Sequence, residues 1–407
     1  MAETRTLFHG GTVFDGTGAP PGPADVVVEG SRIVDIGIGL DGDEAVDCAG
    51  HAVLPGLFDC HVHLMLDGVD PMKWLHDPFS LPFYRSIHTM RATLATGITT
   101  VRDAGGADLG LKEAQRTGLV AGPRTQISVN MLSQTGDPWE ASGCAIPIFV
   151  PHPGRPSTVV DGQDEARRAV RELIRAGADV IKIATSGGVL STRDDPRHGH
   201  FRDAEVAVMV EEAAAAGMFV MSHAAGADGI KVALRNGVRS IEHGVFLDDE
   251  AIELMLARDA WLVPTLIAPR GVLAAADAGL PLAANIVEKA RLTSAAHRES
   301  IARAVAAGVR VAFGTDTGVT PHGRNLDELP LMVDCGLTPA QALHAATVSA
   351  ARLMGLDNEL GSIERGKRAD LVLVSGDPLD VDTIAGRITR VYQDGRLVHA
   401  TDASPES

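Results

Sequence analysis

Two histidines separated by one residue, His61 and His63, close a short apolar run that begins at Leu57. Side chains of a β-strand alternate between its two faces, so residues two apart point to the same side. Both imidazoles could therefore bind one metal ion, for which neutral imidazole is the commonest protein ligand. The alternative is a pair of solvated or core histidines, because H-x-H alone is a weak signal.

Lys182 lies in the run DVIKIAT, among apolar and β-branched residues. A lysine is almost never fully buried unless its charge is matched. Its ammonium could extend to solvent from a strand end. Alternatively, burial could leave the amine neutral enough to react with carbon dioxide. The resulting carbamate would be an anionic, bidentate ligand for two cations.

Three further residues of metal-ligand type, His223, His243 and Asp316, also close apolar runs. Eight such runs alternate with helical stretches, of which Asp164–Ala176 and Ala204–Ala216 are each followed by a glycine. This alternation predicts an α/β fold, a (β/α)8 TIM-like barrel. The predicted strands are Leu57–His63, Ile98–Asp103, Arg124–Asn130, Asp179–Thr185, Met218–His223, Arg239–His243, Trp261–Thr265 and Val309–Asp316.

The candidate ligands fall at the carboxyl ends of predicted strands 1, 4, 5, 6 and 8. Catalytic groups of such barrels lie at that end, so we expect the six side chains to meet there. A single polar residue at a strand end is commonly a cap, but six of ligand type in one barrel are hard to attribute to chance. At the end of strand 2, Arg102 and Asp103 predict a structural salt bridge.

Both ends of the chain read as short strands interrupted by Gly and Pro. The simplest arrangement is a small discontinuous β-sandwich domain built from both termini. We expect it to comprise residues 1–55 and 359–407, with the barrel over residues 56–358.

The six residues and their surroundings resemble the binuclear type of the amidohydrolase superfamily. AVLPGLFDCHVHL resembles the family's entry into strand 1, and GSIERGKRADLVLVSGDP resembles its return into the β domain. Within the superfamily the sequence is most similar to imidazolonepropionase-related amidohydrolases and prolidase-like dipeptidases. TTVRDAGG, IKIATSGGVLSTRDDP and GADGIKVALRNGVRSIEHG carry that similarity.

The resemblance implies two divalent metal ions, with Zn²⁺ expected and Co²⁺, Mn²⁺ or Fe²⁺ also suited to these ligands. His61, His63 and Asp316 would hold the more buried metal and His223 and His243 the other. Lys182, N-carboxylated, and a hydroxide would bridge them, with Asp316 as the catalytic proton acceptor.

The implied reaction is hydrolysis of a small molecule's C–N bond, as in a dipeptidase or N-acyl amino acid hydrolase. A carbamate, urea, lactam or lactone hydrolase is the main alternative. A deaminase or one-metal imidazolonepropionase type is a third possibility, against which Lys182 argues. A non-catalytic scaffold is a fourth, against which the complete ligand set argues.

Substrate contacts are expected from His322, Arg193 and Trp139, although solvated loops or core packing would also explain these residues. The prolidase-like branch usually has Tyr or His two residues after the strand-5 histidine, where this chain has Ala225. The hydrolytic residues therefore match the family better than the substrate-binding ones do.

The formal net charge of -17 argues against nucleic acid or an anionic membrane as a partner. The four cysteines lack CxxC spacing, and no signal peptide or membrane-length apolar run is evident. We expect a cytoplasmic enzyme, a homo-oligomer, that acts on a small-molecule substrate.

Overall fold

The computed structural model describes residues 4–70, 73, 76–136 and 152–401. Its strands, in chain order, are β1 (Arg5–His9), β2 (Thr12–Val13), β3 (Gly22–Pro23), β4 (Asp25–Glu29), β5 (Arg32–Gly37), β6 (Glu44–Asp47), β7 (His51–Pro55), β8 (Leu57–Val62), β9 (Ile98–Asp103), β10 (Arg124–Ile127), β11 (Met131–Leu132), β12 (Ile181–Ala184), β13 (Val220–Ala224), β14 (Ser240–His243), β15 (Trp261–Val263), β16 (Arg310–Val311), β17 (Leu371–Ser375), β18 (Ile388–Gln393) and β19 (Arg396–Ala400).

The α-helices lie mostly between the central strands. They are α1 (Leu81–Ala95), α2 (Leu109–Arg116), α3 (Gln163–Arg175), α4 (Asp203–Ala215), α5 (Ala227–Arg235), α6 (Asp249–Ala257), α7 (Ala268–Asp277), α8 (Ala284–Ala306), α9 (Glu328–Asp334), α10 (Pro339–His344) and α11 (Ala350–Met354). A π-helical turn at Ala345–Ser349 joins α10 to α11. In the part of the chain that is described, no helix has both the length and the apolar character needed to span a bilayer.

The central strands β8 to β16 form two parallel sheets, ordered β10-β9-β8 and β11-β12-β13-β14-β15-β16. All residues of β8, β9, β12 and β14 are buried, as expected for parallel strands covered on both faces. The predicted α/β class is therefore confirmed. Closure of the two sheets into one eight-stranded barrel stays a prediction.

The helices between these strands have the buried face and the terminal glycine that the sequence predicts. In α3 the residues Ala166, Ala169, Val170 and Leu173 are buried, and their spacing of three and four places them on one face. The helix is followed by Gly177, whose φ of 92° is the left-handed conformation that commonly ends helices. Predicted and observed bounds of α3 and α4 differ by one residue at each end.

Two predicted strands are shorter than the sequence suggested. The predicted strand Arg124–Asn130 is divided into β10 and β11, because Val129 adopts a φ of 66° that interrupts the extended backbone. The predicted strand Val309–Asp316 is reduced to β16, and Asp316 itself has a φ of 60°.

The segment that follows β16 continues beside β8. Hydrogen bonds run from the Cys60 amide to the Phe313 carbonyl at 2.9 Å and from the His63 amide to the Thr317 carbonyl at 2.8 Å. At the other edge, the Asp179 amide donates to the Ile127 carbonyl at 2.8 Å. Backbone hydrogen bonds thus connect the two parallel sheets at both places where they meet.

Strands from both termini form two further sheets, ordered β5-β4-β1-β6 and β19-β18-β17-β7-β2-β3. Their side chains share one buried cluster, in which the Phe8 and Tyr392 rings meet edge to face with centroids 4.9 Å apart. The β-rich character expected of both ends is therefore present. The exact boundaries, residues 1–55 and 359–407, stay a prediction.

Asp59, in the middle of β8, fixes the turn that carries Asp316. One of its carboxylate oxygens accepts the amides of His61 and Thr315, both at 3.1 Å. The other accepts the Thr315 hydroxyl at 2.6 Å and the Asn325 side-chain amide at 2.8 Å. Burial raises the pKa of Asp59 to about 6, although these four donors oppose the shift.

Asp59→Asn should destabilise the fold by about 1–3 kcal/mol, because an amide NH2 would face donors where the carboxylate accepts. The free energy of unfolding, from urea titration followed by circular dichroism, measures the effect. The control is Asp43→Asn, since the Asp43 carboxylate is exposed and accepts a single amide, that of Arg5, at 2.9 Å. Equal stability of the two variants would contradict this account of Asp59.

Candidate metal centre

Side chains from four separate parts of the chain converge at the carboxyl ends of the parallel strands. Ligand atoms of His61, His243 and Asp316 all lie within 4.8 Å of one another. His63 adjoins them, with its Nε2 3.2 Å from Oδ1 of Asp316. The His223 ring adjoins that of His243, with centroids 4.6 Å apart. Four imidazoles and one carboxylate thus share one buried volume.

The backbone at this place is strained where two of the groups are attached. His243 and Asp316 have φ values of 73° and 60°, in the left-handed region that non-glycine residues rarely adopt. Thr265, which contacts His243, has a φ of 52°. Each such residue costs about 1–3 kcal/mol and persists only where its surroundings hold it, as commonly occurs at functional sites.

The ring nitrogens on the far side of three histidines are held by acceptors. Nδ1 of His61 lies 2.7 Å from Oε2 of Glu242, and Nδ1 of His63 lies 2.8 Å from the Gly105 carbonyl. Nδ1 of His243 lies 2.6 Å from the Thr265 hydroxyl oxygen. A carboxylate or carbonyl only accepts, so Nδ1 carries the proton in His61 and His63 and Nε2 is directed to the centre.

His223 has the opposite arrangement. Its Nε2 lies 3.2 Å from the carbonyl oxygen of Gly187, which can only accept. The proton is therefore on Nε2, and Nδ1 is the nitrogen with a lone pair to offer. Such an outer hydrogen bond fixes which ring nitrogen of a histidine can bind a metal.

The electrostatics favour neutral imidazoles at most of these positions. Burial, and next the positive charge of Lys182, lower the pKa of His61 to about 4 and that of His223 to about 3. Burial, with His223 as the next cause, lowers the pKa of His243 well below its usual range. Burial is the largest influence on His63 and would lower its pKa, but the hydrogen bond and charge of Asp316, the charge of Asp103 and the Gly105 carbonyl together raise it.

Lys182 is 1% exposed, and no hydrogen-bond partner of its Nζ is found among the described residues. Burial lowers the pKa of the Lys182 amine to about 8, against the opposing charges of Glu242 and Asp316. Its charge acts on His61, His223 and Asp316, so it belongs to the same buried volume. A buried polar group without a partner is rare in native proteins and calls for an explanation.

Asp316 combines burial with positive neighbours. Burial would raise the pKa of this carboxyl group, but the neighbouring His61, the hydrogen bond with His63 and the charge of Lys182 keep it below its usual range. Its Oδ1 is 3.2 Å from Nε2 of His63 and 3.5 Å from Nε2 of His61. A carboxylate oxygen and an imidazole lone pair are both acceptors, so each of these contacts is favourable only with a proton or a metal ion between the two atoms. The donor set therefore fits a metal ion.

The sequence analysis missed the residue that contacts His61 from the opposite side. Glu242 is fully buried, and its Oε1 accepts Nη2 of Arg102 at 2.9 Å and the Ser240 hydroxyl at 2.6 Å. The expected pairing of Arg102 with Asp103 was wrong: Asp103 accepts the Leu64 amide at 2.8 Å instead. The sequence contains one signal that could have identified Glu242, since it is a glutamate inside an apolar strand, directly before His243.

The three predicted substrate contacts have different surroundings. Nδ1 of His322 lies 3.1 Å from the Thr93 hydroxyl, and its Nε2 lies 3.2 Å from the His63 carbonyl. Both ring nitrogens thus contact the protein, and burial lowers the pKa of His322 to about 4. Arg193 is exposed in the segment after β12, and Trp139 lies outside the described residues. Substrate binding by these three residues stays a prediction.

An apolar cluster lies beside the centre, on the segments that follow the strands. The segments are those after β8, β12, β15 and β16, and helix α8 contributes further residues. The members of the cluster include Leu66, Val69, Val189, Leu190, Ala268, Val272, Ile286 and Val319. Lys289 of α8 fixes the segment after β12, since its Nζ donates to the Gly188 carbonyl at 2.8 Å and to Oδ1 of Asp194 at 3.1 Å.

Comparison with known proteins extends over nearly the whole chain. The amidohydrolase family model matches residues 52–398. The ochratoxinase of Aspergillus niger is 31% identical over 425 residues, covering 98% of this chain and 88% of that protein. The imidazolonepropionase of Acidiphilium cryptum (strain JF-5) is 28% identical over 416 residues, covering 89% and 92%.

Among solved structures, a Xaa-Pro dipeptidase with bound methionine in the active site aligns with a TM-score of 0.90. It is 33% identical, and the alignment covers 98% of this chain and 100% of that one. Members of this family generally bind divalent metals and act on small molecules. The resemblance to the amidohydrolase family drawn from the sequence is thereby confirmed, whereas the number and identity of the metal ions stay predictions. The chain belongs to the amidohydrolase family and is a hydrolase that acts on carbon–nitrogen bonds.

Proposed function

We propose that the protein hydrolyses an amide-type C–N bond of a small molecule at a centre of two divalent metal ions. The observation that carries the proposal is the convergence of four imidazoles and the Asp316 carboxylate, together with a buried lysine whose charge acts on several of them. The Nζ of Lys182 has no partner among the described residues, which suits an amine whose modified form binds metal.

The residues fall into two groups for two ions. His61, His63 and Asp316 would hold one ion, and His223 and His243 would hold the other. Lys182 would bridge both as a carbamate, formed when its neutral amine adds to carbon dioxide and releases one proton. When bound, the ions supply a Lewis acid and make water a nucleophile near neutral pH. Zn²⁺ is the ion we propose, because imidazole and carboxylate ligands suit it.

Asp316 is the residue placed to hold a proton during the reaction. Its Oδ1 faces the volume bounded by His61 and His63, and its lowered pKa keeps it ionised and able to accept. We propose that it takes the proton of the attacking water at this oxygen and returns it to the leaving nitrogen.

The fold we propose for this centre is the closed (β/α)8 barrel with a terminal β-sandwich. The hydrogen bonds between β8 and residues 313–317, and between Ile127 and Asp179, support closure. The centre then lies at the carboxyl ends of the barrel strands, where active sites of this architecture occur. A cytoplasmic location and a homo-oligomeric state stay predictions.

Two substrate classes are favoured, one by similarity to a solved structure and the other by the surroundings of the centre. The similarity to a Xaa-Pro dipeptidase favours a dipeptide or N-acyl amino acid. The apolar cluster and the buried Ala225, where the prolidase-like branch usually has Tyr or His, favour a non-peptide carbamate, urea, lactam or lactone. In both classes an apolar group beside the scissile bond would pack against Val189, Leu190 or Leu66.

Lys182→Ala should lose metal and activity together, because the bridging ligand is removed. We expect about two metal equivalents per chain in the wild type and less than one in the variant. Short carboxylates such as propionate should restore part of the activity. Mass spectrometry of the metal content measures the loss. Lys112→Ala is the control, since Lys112 pairs with Asp179 away from the centre. Full metal content in Lys182→Ala would contradict the bridging carbamate.

Asp316→Asn should retain the fold and lower kcat by about 10²- to 10⁴-fold, the usual contribution of a general base. Steady-state kinetics together with circular dichroism measures both properties. The matched control is Asp334→Asn, because Asp334 is an exposed carboxylate paired with Arg298. A variant with wild-type kcat would exclude Asp316 as the proton acceptor.

The proposed function is tested by a screen of the metal-loaded protein against four libraries: dipeptides, N-acyl amino acids, carbamates or ureas, and lactones. We expect turnover of compounds with an apolar group next to the scissile bond. Protein treated with a chelator should be inactive and should recover when Zn²⁺ is added. A wild type that binds metal and hydrolyses no member of any library would overturn the proposed reaction.

A further inference from the structure

Glu242 occupies the space between His61 and Arg102, and all three side chains are at least 97% buried. Its two oxygens have separate partners. Oε2 lies 2.7 Å from Nδ1 of His61, whereas Oε1 accepts Nη2 of Arg102 at 2.9 Å and the Ser240 hydroxyl at 2.6 Å. The carboxylate is thus satisfied on both sides without solvent.

The contact with His61 determines which ring nitrogen carries the proton. A carboxylate can only accept, so Nδ1 of His61 must be the donor. The lone pair of the neutral ring is then on Nε2, which faces Asp316 at 3.5 Å. If Glu242 offered a donor at this point, the proton would move to Nε2 and the ring could no longer bind a metal there.

Arg102 holds the carboxylate in the orientation that this contact requires. Its Nε donates to the Cys60 carbonyl at 2.7 Å, and its Nη1 donates to the Ser240 hydroxyl at 3.3 Å. The guanidinium is therefore anchored to β8 and β14, and it presents only donors to Glu242. One oxygen of Glu242 is engaged by these donors, and the other remains directed at His61.

We propose that Glu242 is a positioning residue that sets the tautomer of His61, and thereby the metal affinity of the group formed by His61, His63 and Asp316. Arg102 acts one step further away, by fixing the orientation of Glu242. The inference rests on the proposed metal-dependent function. The rival explanation is that Glu242 and Arg102 form a buried ion pair with a structural role alone.

Glu242→Gln separates the two explanations because glutamine has the same shape but one donor and one acceptor. Arg102 presents only donors, so the amide oxygen should turn to Arg102 and Ser240 and the NH2 group should face His61. That arrangement forces the lone pair of His61 onto Nδ1 and a proton onto Nε2. We expect metal affinity to fall about 10- to 100-fold, the range typical of outer-shell partners.

The double variant Glu242→Gln/Arg102→Met is the matched control. Without the guanidinium, the amide oxygen of residue 242 is no longer held by Arg102 and can accept from Nδ1 of His61. We therefore expect the double variant to bind metal more tightly than Glu242→Gln alone. A structural ion pair predicts the reverse, because the second substitution removes a further buried group.

Two measurements read out the effect without relying on turnover. Competition with a chromogenic chelator gives the Zn²⁺ affinity of each variant. Histidine-selective ¹⁵N NMR of the metal-free wild type gives the tautomer of His61, with the signal assigned by its loss in His61→Asn. We expect Nδ1–H in the wild type and Nε2–H in Glu242→Gln.

The outcomes distinguish this inference from the proposed function. An Nε2–H tautomer in the wild type, or unchanged Zn²⁺ affinity in Glu242→Gln, overturns the role of Glu242. Because the wild-type NMR experiment needs no variant of Glu242, it still tests the predicted tautomer of His61 if Glu242→Gln does not fold. A wild type that binds no Zn²⁺ overturns the proposed function, whereas the tautomer of His61 still tests the assignment made here.

Discussion

The arrangement of the centre depends on an excess of hydrogen-bond acceptors in a buried volume. The outer nitrogens of His61 and His63 are held as donors by Glu242 and Gly105, so the inner nitrogen of each neutral ring faces the Asp316 carboxylate as a lone pair unless a proton or a metal ion lies between them. Acceptors that face one another without a cation repel, and burial strengthens the repulsion because the effective dielectric constant is low. A site of this kind is stable only when it binds protons or metal ions. Its affinity for them depends on the outer hydrogen bonds, because these direct the lone pairs to the centre.

The rest of the fold keeps these groups in place against local strain. Asp316 and His243 adopt left-handed backbone conformations, which the chain would not adopt by itself. Asp59 holds the turn of Asp316 through two hydrogen bonds from Thr315, and Nε2 of His297 lies 2.8 Å from the His243 carbonyl. Each strained candidate ligand is therefore held by a hydrogen bond with a buried polar group on another element, made either by the ligand itself or by its neighbour in the chain. This explains why such polar groups occur in an otherwise apolar core.

Sequence reasoning predicted the α/β class and the helices α3 and α4, because each has a local signal in apolar periodicity or glycine position. A buried Lys182 was favoured over a solvent-reaching one only because of the other candidate ligands, and its side chain is 1% exposed. It did not predict the left-handed Val129 that divides one strand, since non-glycine residues give no signal for that conformation. It also missed Glu242 and paired Arg102 wrongly. Partners far apart in the chain are set by strand register, which a single sequence does not specify.

Groups that could bind metal and groups that could select a substrate come from different parts of the fold. His61, His223 and His243 lie within or at the ends of strands, where backbone hydrogen bonds on both sides restrict movement. The apolar cluster instead lies on the segments after the strands, such as that of Val189. Segments of this kind tolerate substitution and insertion far better than strands do. Proteins of this family can therefore keep one hydrolytic centre while their substrates diverge, and the similarity of this chain to both an ochratoxinase and a Xaa-Pro dipeptidase is consistent with that division.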